Sequence, residues 1–471
     1  MDLMELERLF ISVVDEEPEG DEFFQTRSRD GIFGSALTMW LMMCRRLQGG
    51  QSIGSIVEYL SAGGAEGIVS RNRRSERFKG GEISTNSGGL SRAQERLKID
   101  KVRSVTRRLT ELLIREKGEQ LRWHGKQVFL MDGTKISLSR SGELLSQYDV
   151  SRNQSGKSYT PLMQCLFCHE LFSGVALEPS YGSFRGAESV CETSLSYELI
   201  SRLPKESLLI GDRGFGIFPV AYQAEKQGVE VLLRLTRTRA SYIAGKEAVE
   251  RDFCDLQVNW KLRTTRVKEL NIPPDAVVPG RIIKATIHRN GFRPLELLFF
   301  TTSKAPAAEL VALYEQRERI ENDIRSLKYT LGMERLWSKS AGMLEKELLL
   351  GVAAYNLVRI VLAQAAEELQ IQPRDISFSR GANLIRIYGN KMRDASSDEE
   401  RQTIRKRLIK ALSQVKHPKR RNRRTEPRKV TQRNDRFGLM RLSREEEREK
   451  AARTLSEYGH RGYFTTVSRK Y

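Results

Sequence analysis

The stretch YEQRERIENDIRSLK, residues 314–328, decides how the rest of the chain is read. It contains no Pro or Gly and consists mostly of good helix formers, so a helix is expected there. Tyr314, Arg317, Glu321 and Lys328 stand at offsets of 0, 3, 7 and 14 within it. At 3.6 residues per turn those offsets fall within an arc of about 60°. One carboxylate, two cations and a phenol therefore share a narrow stripe. The carboxylate of such a stripe can hold a divalent cation, and its Arg and Lys can hold phosphates. The same stripe can be a solvated helix face carrying an i, i+4 pair between Arg317 and Glu321. Spacing alone leaves both readings open.

These four residues, at these spacings, resemble the Tyr-x2-Arg-x3-Glu-x6-Lys signature of one branch of the bacterial insertion-sequence transposases, the cut-and-paste DDE enzymes. Two further carboxylates stand upstream in contexts that resemble the family's, Asp132 in FLMDGTKISL and Asp212 in LLIGDRGFG. The stretch RRNRRTEPRK resembles the family's tail. The resemblance covers roughly residues 120–370, and more loosely the rest. It implies an α/β protein with a ribonuclease-H-like catalytic core, in which Asp132, Asp212 and Glu321 are the catalytic and metal-holding acids. It also implies that Arg317 and Lys328 hold terminal phosphates and that Tyr314 packs on the DNA backbone. Arg213, beside Asp212, is a further DNA-contact candidate.

The chemistry fits that donor set. Phosphodiester cleavage needs a nucleophile made at neutral pH and charge neutralised on the phosphate, and two divalent ions about 3.5–4 Å apart supply both. Mg²⁺ prefers oxygen ligands and keeps several waters, so three carboxylates suffice, with Mn²⁺ a natural substitute. The resemblance implies nicking, hairpin formation and resolution, and 3′-end strand transfer into target DNA. The expected partners are double-stranded DNA with terminal inverted repeats, target DNA, and a second copy of the chain in the paired complex. Rival readings are a structure-selective nuclease on the same fold and a domesticated DNA-binding protein with a relic site.

Composition points the same way. Lys and Arg number 80 against 60 Asp and Glu, a formal charge of +20 and a pI near 9.8, which favours a polyanionic partner, nucleic acid first. At 471 residues the chain is expected to hold two to four domains. The first residues, MDLMELERLF, are acidic and have no apolar core of signal-peptide length. The most apolar long stretch, residues 348–365, is interrupted by Asn356, Arg359 and Gln364, so a buried helix is expected rather than a membrane span. Five scattered Cys make no disulfide framework. The expected location is the cytoplasm, at the nucleoid.

In chain order, residues 1–120 read as a helical DNA-binding domain. Residues 35–47 and 52–60 are separated by Gly49-Gly50, which suits a helix-turn-helix or an ordinary packing pair. Residues 121–370 read as the catalytic domain. Apolar runs at 128–131, 161–168, 171–177, 208–210 and 229–235 suggest strands, with helices at 186–202 and 217–227. Three strands, helix, strand, helix, strand is the order of a ribonuclease-H-like sheet, with acids at the ends of the first and fourth strands. Residues 237–298 read as an inserted β-rich subdomain, where Trp260 and the arginines at 234, 237, 239, 263 and 266 could grip a DNA strand. Residues 371–471 form a basic, partly helical region. Within it, 416–433 holds nine Lys or Arg against one acid, Glu426; Arg420, Arg421, Arg423 and Arg424 are DNA-binding candidates there.

Two patterns mislead. Cys165-Leu-Phe-Cys168-His169 matches a haem-attachment motif but sits inside an apparent strand, so buried thiols are expected. Gly156-Lys157-Ser158 suggests a phosphate-binding loop, but Ser151 stands where that loop requires a Gly.

Overall fold

A computed structural model describes residues 3–25, 32–72, 86–116, 122–153, 156–251, 253–262, 272–287 and 295–415, with a few positions between 445 and 453. Among the described residues nine strands form one mixed sheet. They are β1 (Val128–Ser137), β2 (Val150–Asn153), β3 (Gly156–Glu170), β4 (Ser180–Ser183), β5 (Leu208–Gly211), β6 (Glu230–Arg234), β7 (Cys254–Lys261), β8 (Val277–Ile287) and β9 (Leu295–Thr301). Their order is β2–β3–β1–β5–β6–β9–β8–β7, with β4 also on β3. β1 runs antiparallel to β3 and parallel to β5, and β5 runs parallel to β6. The helices Glu192–Ser201 and Phe218–Gln227 precede β5 and β6 as crossovers. They cover one face of β5 and β6, and the long helix Ala341–Glu368 covers the other, which is why β5 and the centre of β6 are apolar on both faces.

The sheet differs from expectation in three places. β1 does not stop at Asp132. The sequence reads as a strand with the acid at its end, but pairing with β3 continues from Asp132↔Phe167 to Ser137↔Leu162. Residues 171–177 are not a strand, because the Glu170 carboxylate accepts from Phe172 N (3.0 Å) and Ser173 N (2.6 Å) and folds a turn. The β-rich stretch after β6 extends the main sheet: β9 pairs antiparallel with β6 through Leu232↔Thr301 and Leu233↔Phe300.

The two faces of the sheet carry two cores. Phe129, Met131 and Leu209 face one, with Leu195 and Leu199 of the Glu192–Ser201 helix. Leu130 and Ile210 face the other, beneath the long helix Ala341–Glu368. That helix is long and apolar enough to cross a membrane, but 94% of its most apolar window is buried inside the protein. Two of its polar interruptions are bonded. Arg359 donates to Tyr355 OH at 2.8 Å and to the Asp323 carboxylate at 2.6 Å. Asn356 bonds Ala176 N and O, both at 2.8 Å, and Thr110 Oγ1 at 3.1 Å. Ser35–Leu47 packs on the same helix, its Trp40 and Met39 wholly buried and its Arg46 paired with the buried Glu347. The amino-terminal helices thus share a core with the sheet. As buried as it is, Ser35–Leu47 has no face left for DNA, so in any helix-turn-helix the reading helix would be Ile53–Ser61, where Glu58 and Ser61 are exposed.

Cys165 and Cys168, three apart on β3, point into opposite cores as buried free thiols.

Candidate active site

The parallel pairing of β1 with β5 builds the centre of the site. Leu130 pairs with Ile210, and Asp132 and Asp212 each stand two residues further on, at neighbouring positions of adjacent strands. Each aspartate folds back onto a following glycine: Gly133 N donates to Asp132 Oδ1 at 2.9 Å, and Gly214 N to Asp212 Oδ1 at 2.7 Å. Burial pushes the Asp132 carboxyl up to about 6, and the nearby Asp212 and Glu192 carboxylates add to the push; Gly133 N–H and Arg317 oppose it.

The signature stretch is helical, but it is not one uniform helix. An α-helix Ala307–Tyr314 passes through a 3₁₀ turn at Glu315–Arg317, resumes as Glu318–Arg325, and ends in a π turn at Ser326–Thr330. Turns of that kind recur at functional sites. Arg317 and Lys328 fall in the two irregular turns, with Glu321 in the regular segment between them.

Arg317 is the hub. It donates to Glu321 Oε1 at 3.0 Å. Although burial works against its charge, Tyr314, Asp132, Glu321 and Asp212 together hold its guanidinium above its usual value. All three signature acids therefore converge on one arginine. They do not converge on each other: the Glu321 side chain is 54% exposed and turned to Arg317. Among the described residues no three Asp, Glu, His or Cys side chains stand at metal-ligand spacing. The donor set nevertheless suits a hard cation. Asp132 and Asp212 are oxygen donors that repel each other at adjacent strand positions, and a divalent ion held by both would relieve that repulsion.

Lys328 Nζ reaches β1, donating to Lys135 O at 3.1 Å and lying 3.4 Å from Thr134 Oγ1. Its ammonium is thereby placed two or three residues from Asp132. Arg213 is exposed beside Asp212 and free to meet solvent or phosphate. Tyr314 differs from expectation: it is buried, packed edge-to-face on Phe299 at 4.6 Å between ring centroids, so its ring is a wall of the site and offers no surface to DNA. Trp260 is a correction too. It is only 3% exposed, wedged between Phe218 and Phe300, and cannot stack on a base. Arg237 is paired with Glu296 at 2.9 Å and Arg239 donates to Gly216 O. Arg263, Arg266, Arg420, Arg421, Arg423 and Arg424 lie outside the described residues.

Two features of the site escaped the sequence. Glu192 brings a further carboxylate to Asp132. Asp323, two residues past Glu321, is 1% exposed and anchors the signature helix from below. It binds Arg359 Nη2 at 2.6 Å, Arg374 Nη1 at 2.8 Å and Tyr355 OH at 3.1 Å.

Comparisons with known proteins match the same region of the chain. Residues 123–357 match the family model described as the transposase DDE domain. The span runs from the residues just before β1 through the signature stretch and into the long buried helix. The chain is also 24% identical over 301 residues to the transposase InsG for insertion sequence element IS4 of Escherichia coli (strain K12). That alignment covers 62% of this chain and 65% of the relative, just under two thirds of the relative's length. Residues 123–357 belong to the transposase DDE domain family, and the chain is similar to an insertion-sequence transposase.

Proposed function

We propose that this protein excises a DNA element and joins its ends to new DNA by metal-dependent phosphodiester chemistry. The observation that carries the reading is the β1–β5 pairing, which sets Asp132 beside Asp212 under the arginine that also holds Glu321. The strand order β4–β3–β1–β5–β6, antiparallel then parallel, supports a ribonuclease-H-like core. Asp132, Asp212 and Glu321 would hold two Mg²⁺ ions, which when bound lower the pKa of an attacking water and neutralise charge on the phosphate. For Glu321 to join the aspartates it must leave Arg317. A DNA phosphate arriving at Arg317 competes for the same guanidinium, so substrate binding itself would free the third acid.

Arg317 and Lys328, on either side of Glu321, hold phosphates flanking the scissile bond, and Arg213 adds a contact beside Asp212. The reaction runs as nicking of the element end, attack of the freed 3′-hydroxyl on the opposite strand to form a hairpin, reopening of the hairpin, and transfer of the 3′-ends to target DNA. The DNA carries terminal inverted repeats, and because two ends are joined together, two copies of the chain act on them at the nucleoid. The helical region 1–120 and the basic region 371–471 bind the DNA outside the centre.

The test is Glu321→Ala with a labelled element end. Strand cleavage is expected to vanish while gel-shift binding of the same DNA persists; retained cleavage removes Glu321 from the site. A strand-transfer assay separates a transposase from a nuclease, which nicks but never joins.

A further inference from the structure

The Asp132–Asp212 pair is approached from both faces of the sheet. The signature helix lies on one, its Ile320, Ile324 and Leu327 packed in the core of Leu130 and Ile210. The Glu192–Ser201 helix lies on the other, its Leu195 and Leu199 packed in the core of Phe129, Met131 and Leu209. Glu192 is the first residue of that second helix, so it reaches β1 from the side opposite Glu321.

Its carboxyl is held in place by other groups. Gln164 Nε2, from β3, donates to Glu192 Oε1 at 3.1 Å, and the same amide lies 3.4 Å from Thr134 O. The carboxyl fills the space over Gly133, where an added Cβ would run into Glu192 Cδ and Oε1. Gly133 adjoins Asp132, and its lack of a side chain is what admits Glu192 to the centre. Both aspartates are electrostatic neighbours of this carboxyl. Among the described residues no Lys or Arg forms an ion pair with Glu192. Lys135, the cation that acts on it at longer range, stacks its Nζ over Phe184 at 3.8 Å.

A carboxylate placed against two others costs stability unless a cation joins them. An apolar residue or a glutamine would fill this space without that cost. We propose that Glu192 is a fourth acid of the catalytic centre, giving an oxygen donor to the divalent cation of Asp132 and Asp212 from the face opposite Glu321. The inference rests on the reading of Asp132 and Asp212 as cation-holding residues.

The test reads cation binding without turnover. Mn²⁺ is titrated calorimetrically into the metal-free full-length protein, alongside Glu192→Gln, Gly133→Ala and Asp132→Asn. Glu192→Gln keeps the shape and a hydrogen bond to Gln164, and is expected to weaken Mn²⁺ binding about tenfold or more. Gly133→Ala is expected to produce a comparable loss by pushing the flexible end of Glu192 aside, and the double variant to be no worse than Glu192→Gln alone. Gly133→Ala carries the test should Glu192→Gln fail to fold. If both variants bind Mn²⁺ like the unaltered protein while Asp132→Asn does not, Glu192 is a structural neighbour only and the inference is overturned. If Asp132→Asn also binds normally, the reading of the whole centre falls. An unaltered protein that takes up no Mn²⁺ overturns the inference as stated.

Discussion

Asp323 is the residue whose loss should be felt most widely. Its carboxylate is fully buried and holds two guanidiniums, Arg359 at 2.6 Å and Arg374 at 2.8 Å, with Tyr355 OH at 3.1 Å. Those partners come from the long buried helix and from the 3₁₀ turn Pro373–Asp375. Arg374 also donates to Glu170 O at 3.1 Å, which adds the end of β3. One carboxylate thus ties the signature helix to three other elements. Asp323→Asn keeps the volume but leaves two buried guanidiniums with no counter-charge here, a loss of about 3–5 kcal/mol. The Asn amide can donate as well as accept, but it restores no charge. In a thermal melt this corresponds to a drop on the order of 5–10 °C. A second effect is local. Glu321 is on the same helix, so cleavage should fall by more than the loss of folded protein explains. The control is Asp323→Asn combined with Arg359→Met: removing charge from both partners should recover part of the lost stability, because a missing pair costs less than a half pair. A melting point for Asp323→Asn within about 1 °C of the parent would refute the argument, since no buried pair of guanidiniums can lose its anion so cheaply.

Three further outcomes are expected. Burial holds His169 neutral, its pKa pushed down to about 4 although Asp323 opposes the shift. The unfolded chain therefore takes up a proton first, stability falls as the pH drops from about 6.5 to 4, and the loss is about 3 kcal/mol; His169→Gln should flatten a melting profile in that window, and an unchanged slope would assign it elsewhere. Asp132 has the opposite sign. Its folded pKa is raised to about 6, so its ionisation costs stability as the pH rises through that value. Asp132→Asn, with chelator present, should stabilise the protein by about 1 kcal/mol at pH 8, after allowance for the solvent it still meets, and by nothing near pH 4; equal melting points at pH 8 would contradict the raised carboxyl. Trp260→Ala should cost about 3–5 kcal/mol as a core deletion. If it instead spares the melting point and weakens DNA binding, the buried placement is wrong.

Much of the centre could be read from sequence because it depends on short-range signals. An apolar run ending at an acid marked both 128–132 and 208–212, and parallel strands with crossover helices bring such ends together. What could not be read depends on pairing between distant segments. β9 and β6 are each alternating or apolar runs, and nothing local says that Thr301 meets Leu232, so the stretch after β6 looked like a separate unit. The reason for a glycine at position 133, room for Glu192, is not local either, since Glu192 stands on a helix distant in sequence. Trp260 gave no sign of its environment, since Phe218 and Phe300 lie forty residues to either side of it. The basic run 416–433 falls outside the described residues, and its role rests on its charge and on the resemblance of RRNRRTEPRK to the family's tail.

The stretch 314–328 carries a second stripe. Ile320, Ile324 and Leu327 are spaced i, i+4, i+7 and are all buried, which defines the core stripe of the helix. With Ile320 at zero, that stripe spans about −20° to 40° at 100° per residue. Asp323 falls at about −60°, against the edge of the core rather than across from it. An acid in that position must be paired, and its partner Arg359 is one of the cations that interrupt the apolar helix. On the other flank, Arg317, Lys328, Glu321 and Tyr314 fall at about 60°, 80°, 100° and 120°. The functional stripe therefore does not oppose the core; it begins where the core ends. This is why Arg317 is only 19% exposed while Glu321 is 54% exposed; Tyr314, further round still, is buried by Phe299 of β9 and not by that stripe. A solvated face would sit about 180° from the isoleucines. A stripe flush against the core can be positioned by the core, and Asp323 does that from the opposite flank of the same helical turn as Glu321.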